Sequence, residues 1–374
     1  MNTPHQPAGT SRTVPMHNPD ARQEHRMTTV PALEATSADS GFRRTTIERR
    51  PVGPQDVAIE IQYAGICHSD IHTARNEWGG TNYPVTPGHE IVGRVSAVGE
   101  AVTGFAPGDT VGVGCFVDSC GRCEYCADGQ EQFCTEGVTA TYNTPQADGT
   151  ATRGGYSGSV VVDERFVLRV PESLDPARTA PLLCAGITTY APLKRWGAGP
   201  GKRVAVLGMG GLGHVAVKIA AAMGAEVTVL SQSLSKQEDG LAFGAGDYFA
   251  TKDPETFARN KGRFDLILNT VSADLPIERY LSLLRVNGVL CSVGLPTEPY
   301  SVRPGALIAP QRVLTGSMVG GLPEHQEMLD FCAEHGVESE IELIGADDVD
   351  AAYDRVVASD VRYRFVIDVA GTLA

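Results

Sequence analysis

The chain of 374 residues is long enough for two domains, each with a sizeable core. Its hydrophobic content of 42% is ordinary for a globular protein, and a net charge of -14 argues against nucleic acid, whose phosphates need a basic face. No uninterrupted apolar run reaches the ~20 residues of a membrane span, and MNTPHQPAGTSRTVPMHNPDARQEHR lacks the apolar core of a signal peptide. A cytoplasmic protein without a membrane partner is expected, so that its nine cysteines stay reduced and any cluster favours metal over disulfides.

Residues 1–40 are rich in Pro, His, Thr and Asn without periodicity, and read as a disordered leader, with Met27 an alternative natural start. From 41 to 180 the chain shows short β-rich segments punctuated by glycine: DVAIEIQYAGI, EIVGRVSAVG, GDTVGVGC and GSVVVDERFVLRVP. From 181 to 321 strands and helices alternate. VAVLG leads into the helical GLGHVAVKIAAAMGA; VTVL, FDLILNTVS, GVLCSVG and VLTGSMVG follow, each a buried parallel strand by its apolar run. Residues 322–374 offer one helix, PEHQEMLDFCAEHG, and mixed short elements. The class is α/β.

Four cysteines follow the spacing C-x2-C-x2-C-x7-C at Cys120, Cys123, Cys126 and Cys134, inside a lobe over 115–135. Thiolates so close can wrap a tetrahedral Zn²⁺, and buried cysteine rarely alternates with Gly, Arg, Glu and Asp in this way. Four thiolates leave no open position. This metal would be structural, pinning a lobe that has no core of its own. The chemistry must lie elsewhere.

GICHSDIH carries Cys67, and TPGHEIVG carries His89. A catalytic zinc takes three protein ligands and keeps one exchangeable position, and these two residues could supply two of the three. Either alone is more often packing or surface. Their company changes that. GMGGLG, with Gly208, Gly210, Gly211, Leu212 and Gly213, follows a strand and opens a helix, which is the placement that lets a pyrophosphate approach helix-end N–H groups.

The next strand ends VTVLSQSLSK. Where an NAD site places a carboxylate for the ribose 2′-hydroxyl, Ser231 stands, with Ser233 and Lys236 beyond. Small hydroxyls and a lysine suit the 2′-phosphate of NADP, which a carboxylate would repel. The alternative is ordinary loop and cap chemistry, since serine favours both. With a helix starting near Leu234, Glu238 and Asp239 would turn away from that phosphate.

GICHSDIH, PGHEIVG, the four-cysteine lobe, LLCAGITTY, GMGGLGH and VRYRFVID together resemble the zinc-dependent medium-chain alcohol dehydrogenases, in particular the bacterial NADP-dependent reductases of the cinnamyl alcohol dehydrogenase branch. The resemblance runs from about residue 45 to the C-terminus. It implies a β-rich GroES-like catalytic domain (41–180 and 322–374) and a Rossmann-type doubly wound nucleotide domain (181–321). Cys67, His89 and Cys184 would hold the catalytic zinc, with Glu90 beside it and Asp70 orienting the imidazole of His89. Ser69 would bond the alcohol oxygen, and a relay through the nicotinamide ribose would reach His72. Thr188, Thr270, Gly294, Ser317, Met318 and Val319 would line the cofactor cleft.

The implied reaction interconverts a primary alcohol and an aldehyde through zinc and NADP(H), mainly by aldehyde reduction. Trp78, Cys115 and Phe116 could wall an apolar pocket for aromatic or medium aliphatic substrates, or be ordinary core. The apolar VLTGSMVG edge predicts a homodimer. Cys291 and Cys332 read as buried thiols without a role. Three rivals stay open: an NAD-dependent polyol or formaldehyde dehydrogenase, a non-catalytic nucleotide- and zinc-binding relative, and a zinc-ribbon nucleic-acid binder.

Overall fold

Apolar runs in the second half of the chain form parallel strands, because a strand covered on both faces loses nothing by being apolar throughout. In the computed structural model, which describes residues 27–146 and 149–373, six of them make one sheet. Its order is Asp247–Ala250, Glu226–Ser231, Arg203–Leu207, Phe264–Asn269, Leu284–Ser292, Val313–Gly316, with every pairing parallel. The chain therefore winds outward from Arg203–Leu207 in one direction, then returns and winds the other way. The crevice at that reversal, outside the carboxyl ends of the strands, is where such sheets hold ligands. Val204, Val206, Leu266 and Leu268 fill the centre of this core.

The second sheet has the order Ile341–Ile344, Arg364–Asp368, Asp56–Gly65, Ile91–Val98, Thr110–Val113, Leu168–Arg169, with Ser159–Asp163 also on Asp56–Gly65. Chain from both ends meets here: Val366 lies opposite Gly65 in an antiparallel pair. The segment leaving the nucleotide sheet re-enters through the helix Leu322–His335 and ends in this second layer. Cys291 and Cys332 are fully buried. Among the described residues no helix is long and apolar enough to cross a membrane.

Two expectations need correction. The part of the proposed leader up to residue 26 lies outside the described residues, but 27–40 are ordered. Thr28–Glu34 pairs antiparallel with Arg43–Arg49 over seven residues, buries Ala32 and Leu33, and takes a further bond from the Leu33 N–H to the Tyr156 carbonyl at 2.8 Å. The strand is too short for its alternation to stand out from the polar stretch before it. Likewise the helix expected near Leu234 begins only at Gln237. The Ser233 hydroxyl lies 2.9 Å from that of Ser235 and accepts from the Ser235 N–H, and such local bonding competes with helix formation.

The cysteine lobe lies between two short paired strands, Phe116–Asp118 and Thr139–Ala140, and carries two short helical turns, Glu124–Ala127 and Glu131–Phe133. It abuts the passage between the two sheets. The Glu131 carboxylate accepts from the Leu322 N–H at 2.9 Å, and a Cβ at Gly321 would stand 1.7 Å from the Gly129 carbonyl oxygen. Only glycine fits there.

Candidate active site

The helix His68–Ala74 starts at Cys67, and its third residue, Asp70, sets the start by accepting from the Cys67 N–H at 2.8 Å. The same fully buried carboxylate faces the Gly88 N–H at 3.2 Å, His89 Nδ1 at 3.0 Å and the Tyr156 hydroxyl at 3.3 Å. Tyr353 in turn donates to Tyr156. An ionised carboxylate has room for four donors, and here it has four. Holding the proton on Nδ1 leaves Nε2 of His89 as the free lone pair.

That lone pair faces sulfur. Cys67 Sγ and Cys184 Sγ, 117 residues apart in sequence, lie 4.0 Å from each other. Ligand atoms of Cys67, His89, Glu90 and Cys184 all fall within 4.8 Å of one another. A tetrahedron with Zn–S bonds of about 2.3 Å has an S–S edge of roughly 3.8 Å, so the pair suits zinc with little adjustment. Cys184 holds the Cys67 thiol well below the ordinary thiol range by hydrogen bonding, and is itself raised by Cys115 and Cys67. Two soft thiols, one of them readily deprotonated, and an oriented imidazole form a donor set for a borderline-soft divalent cation.

Glu90 is buried beside them and makes two bonds with Arg364, at 2.6 and 2.7 Å. Burial raises its pKa to about 7 against the pull of Arg364. Arg364 also donates to the Ile66 carbonyl at 2.7 Å, while its Nη1 is buried without a partner. A Cβ at Gly211 would meet the Arg364 side chain at 2.7 Å, which puts this cation at the glycine turn. An orphaned buried donor at the head of the helix Gly211–Ala222 is what a pyrophosphate oxygen would satisfy. VRYRFVID was conspicuous as a motif; the role of its second arginine was not.

One cleft of about 2030 Å³ runs from the metal cluster to the end of Glu226–Ser231, ample for a dinucleotide and a small substrate. Cys67, Ser69, His72, His89 and Cys184 line its inner end, with Trp78, Cys115 and Phe116. Thr188, Gly208, Gly210, Gly211, Leu212, Ser231, Ser233, Lys236, Thr270, Gly294, Ser317, Met318 and Val319 line the rest. Gly213 does not. A Cβ there would strike the Gly208 carbonyl oxygen at 2.2 Å, so this glycine serves the packing of helix on turn. Asp70 and Glu90 stand behind the cleft wall, each fully buried.

Ser69 Oγ is 3.7 Å from Cys67 Sγ, at the inner end. His72 Nδ1 is hydrogen-bonded to Glu77, a partner that the sequence did not suggest, and its ring lies tilted against Trp78 at 4.7 Å. Trp78 is half exposed, so it forms a rim and not a core wall. Away from this cleft, Cys120, Cys123, Cys126 and Cys134 bring four sulfurs within 4.8 Å of one another. Backbone N–H groups of Cys120, Cys123 and Cys126 point at the sulfurs of Cys134, Cys120 and Cys123 at 3.3–3.5 Å, which favours thiolates.

Comparison with known proteins agrees with this geometry. The family model for the alcohol dehydrogenase GroES-like domain matches residues 53–172, and that for zinc-binding dehydrogenase matches 211–334. The chain is 63% identical to NADP-dependent alcohol dehydrogenase C 1 of Mycolicibacterium smegmatis, over 92% of this chain and 99% of that one. It is 51% identical to aldehyde reductase YahK of Escherichia coli, over 91% and 98%. Among solved structures it superposes on a cinnamyl alcohol dehydrogenase of Sorghum bicolor with a TM-score of 0.89, at 43% identity over 92% and 99%. The chain belongs to the zinc-dependent medium-chain alcohol dehydrogenases, in the cinnamyl alcohol dehydrogenase branch.

Proposed function

We propose that this protein interconverts primary alcohols and aldehydes with zinc and NADP(H), chiefly reducing aromatic or medium aliphatic aldehydes in the cytoplasm. The observation that carries this reading is the convergence of Cys67, His89 and Cys184 at the inner end of a cleft whose other end is Ser231, Ser233 and Lys236. Relatives named as an NADP-dependent alcohol dehydrogenase and an aldehyde reductase support it.

Cys67, His89 and Cys184 would hold a zinc that polarises the substrate oxygen, and the bound nicotinamide would supply or accept the hydride. Asp70 keeps the His89 tautomer and aim fixed. Ser69, beside Cys67 at the inner end of the cleft, would bond the substrate oxygen and give or take its proton. His72, with Glu77 on its outer nitrogen, hands that proton between the cleft and water. Cys115, Phe116 and the rim Trp78 would favour a flat apolar substrate over a polyol. The structural lobe would keep its own zinc at the four cysteines.

Zinc-loaded protein should oxidise NADPH when given benzaldehyde or cinnamaldehyde, followed by the loss of the reduced nicotinamide's absorbance. Absence of turnover with any aromatic or C4–C8 aldehyde would leave a non-catalytic binder as the better reading. For assembly, the exposed outer strand Val313–Gly316 pairs on one side only, with Leu284–Ser292. Two-fold pairing of this edge is expected to make a homodimer. Light scattering at micromolar concentration should report twice the chain mass, and a monomer would refute the pairing.

A further inference from the structure

Arg362 and Tyr363 lead into the strand Arg364–Asp368, yet they lie against the segment that follows Glu226–Ser231. The Tyr363 ring stacks on His214 at 4.9 Å and 16°, and its hydroxyl donates to Asp239. The Lys236 ammonium sits 4.7 Å over the same ring. Arg362 reaches across from the other sheet: its Nε is 3.4 Å from the Asp239 carboxylate, and its Nη2 is 3.4 Å from the Ser235 carbonyl.

Both contacts are long, and the Arg362 side chain is half exposed, at 52%. An exposed pair of this length is weakly held. Arg362 thus holds Asp239 loosely, and Lys236 rests on the Tyr363 ring, both beside the hydroxyls of Ser231, Ser233 and Ser235. Lys236 is lowered from the usual lysine range, first by burial and then by Arg362, with Asp239 opposing. Both cations therefore stand beside the cleft hydroxyls with their charge only loosely engaged.

We propose that Arg362 is a specificity-determining residue for the 2′-phosphate of NADP(H): on binding it leaves Asp239 and grips the phosphate opposite Lys236. The inference rests on the NADP(H) reading above and deepens it. A phosphate with nearly two negative charges outcompetes a single carboxylate, and the planar guanidinium presents paired donors that match its oxygens. Rotation of a half-exposed side chain meets little resistance, and the residues that line the cleft here, Ser231, Ser233, Ser235, Lys236 and Tyr363, leave Arg362 just behind the rim. The bound phosphate then ties segment 361–364 to loop 231–236. Two residues further on, Arg364 reaches Glu90 in the metal cluster, so cofactor identity is felt along one short stretch of chain.

The test is calorimetric titration of the zinc-loaded full chain with 2′,5′-ADP and with 5′-AMP, which differ only in the phosphate at issue. Arg362→Gln is expected to weaken 2′,5′-ADP about tenfold or more while 5′-AMP stays within about twofold. Arg362→Lys should recover part of the loss. Asp239→Asn, which removes the competing carboxylate, should tighten 2′,5′-ADP severalfold. Equal weakening of both nucleotides in Arg362→Gln, or no change in either, would overturn the proposal. If the unmodified protein binds the two probes alike, the NADP(H) reading itself falls. A thermal melt of each variant separates these outcomes from loss of fold.

Discussion

Cys67→Ser is expected to lower aldehyde reduction on the order of a thousandfold while the protein stays folded. A metal that polarises the substrate oxygen contributes several kcal/mol to the transition state, and each 1.36 kcal/mol is about tenfold in rate. Cys67 lies at the head of a helix whose start is held by Asp70 through the backbone, so the substitution leaves that bond in place. Cys123→Ser should behave differently. The lobe around it has two strands of three and two residues and two short helical turns, and its four sulfurs are the main thing it can organise around. Aggregation or unfolding is the expected result there. Metal analysis of the unmodified protein should find two zinc ions, one for each cysteine-bearing cluster, and Cys67→Ser should retain one. Equal loss of folding from both substitutions would contradict this division between a working metal and a supporting one.

Ser231→Asp should reverse cofactor preference, lowering kcat/KM with NADPH by about a hundredfold and raising it with NADH. Ser231 ends the strand that borders the cleft, where a carboxylate would bond a ribose 2′-hydroxyl and repel a 2′-phosphate. Asp239 does not already play that part, because it is not among the residues that line the cleft and its carboxylate accepts from the Tyr363 hydroxyl. Glu238 is on the first turn of a helix that begins at Gln237, past the loop that carries the hydroxyls. Steady-state rates with both cofactors decide the matter. If the unmodified protein uses NADH as well as NADPH, the role given to Ser231, Ser233 and Lys236 is wrong, although the dehydrogenase would remain.

The parts of the site that could be read in advance are those with local spacing. The four lobe cysteines fall within fifteen residues, and the glycine turn is bracketed by an apolar strand and a helix, so each declares itself in a short window. Cys184 does not: it is an isolated cysteine 117 residues from Cys67, and only likeness to a family singled it out. The tyrosines behind Asp70 were invisible for the same reason, since Tyr156 and Tyr353 belong to distant segments that meet only when the second sheet closes. Glu77 was hidden differently, as one acidic residue in a polar turn. Gly213 shows that a glycine in a nucleotide motif can serve packing alone, and Thr28–Glu34 shows that a short strand beside a polar stretch leaves too weak an alternation to notice.

At Gly321 the chain crosses from one sheet to the other with no clearance for a side chain, its backbone seated on the carbonyl of Gly129. The lobe is therefore a bearing surface for that crossing as much as a cap on the cleft. Ser317, Met318 and Val319, which wall the cofactor side, are only a few residues upstream of the contact. Slackening of the lobe would be felt first at that wall of the cleft, and a metal held by the four cysteines would then act as a keeper of alignment at a distance.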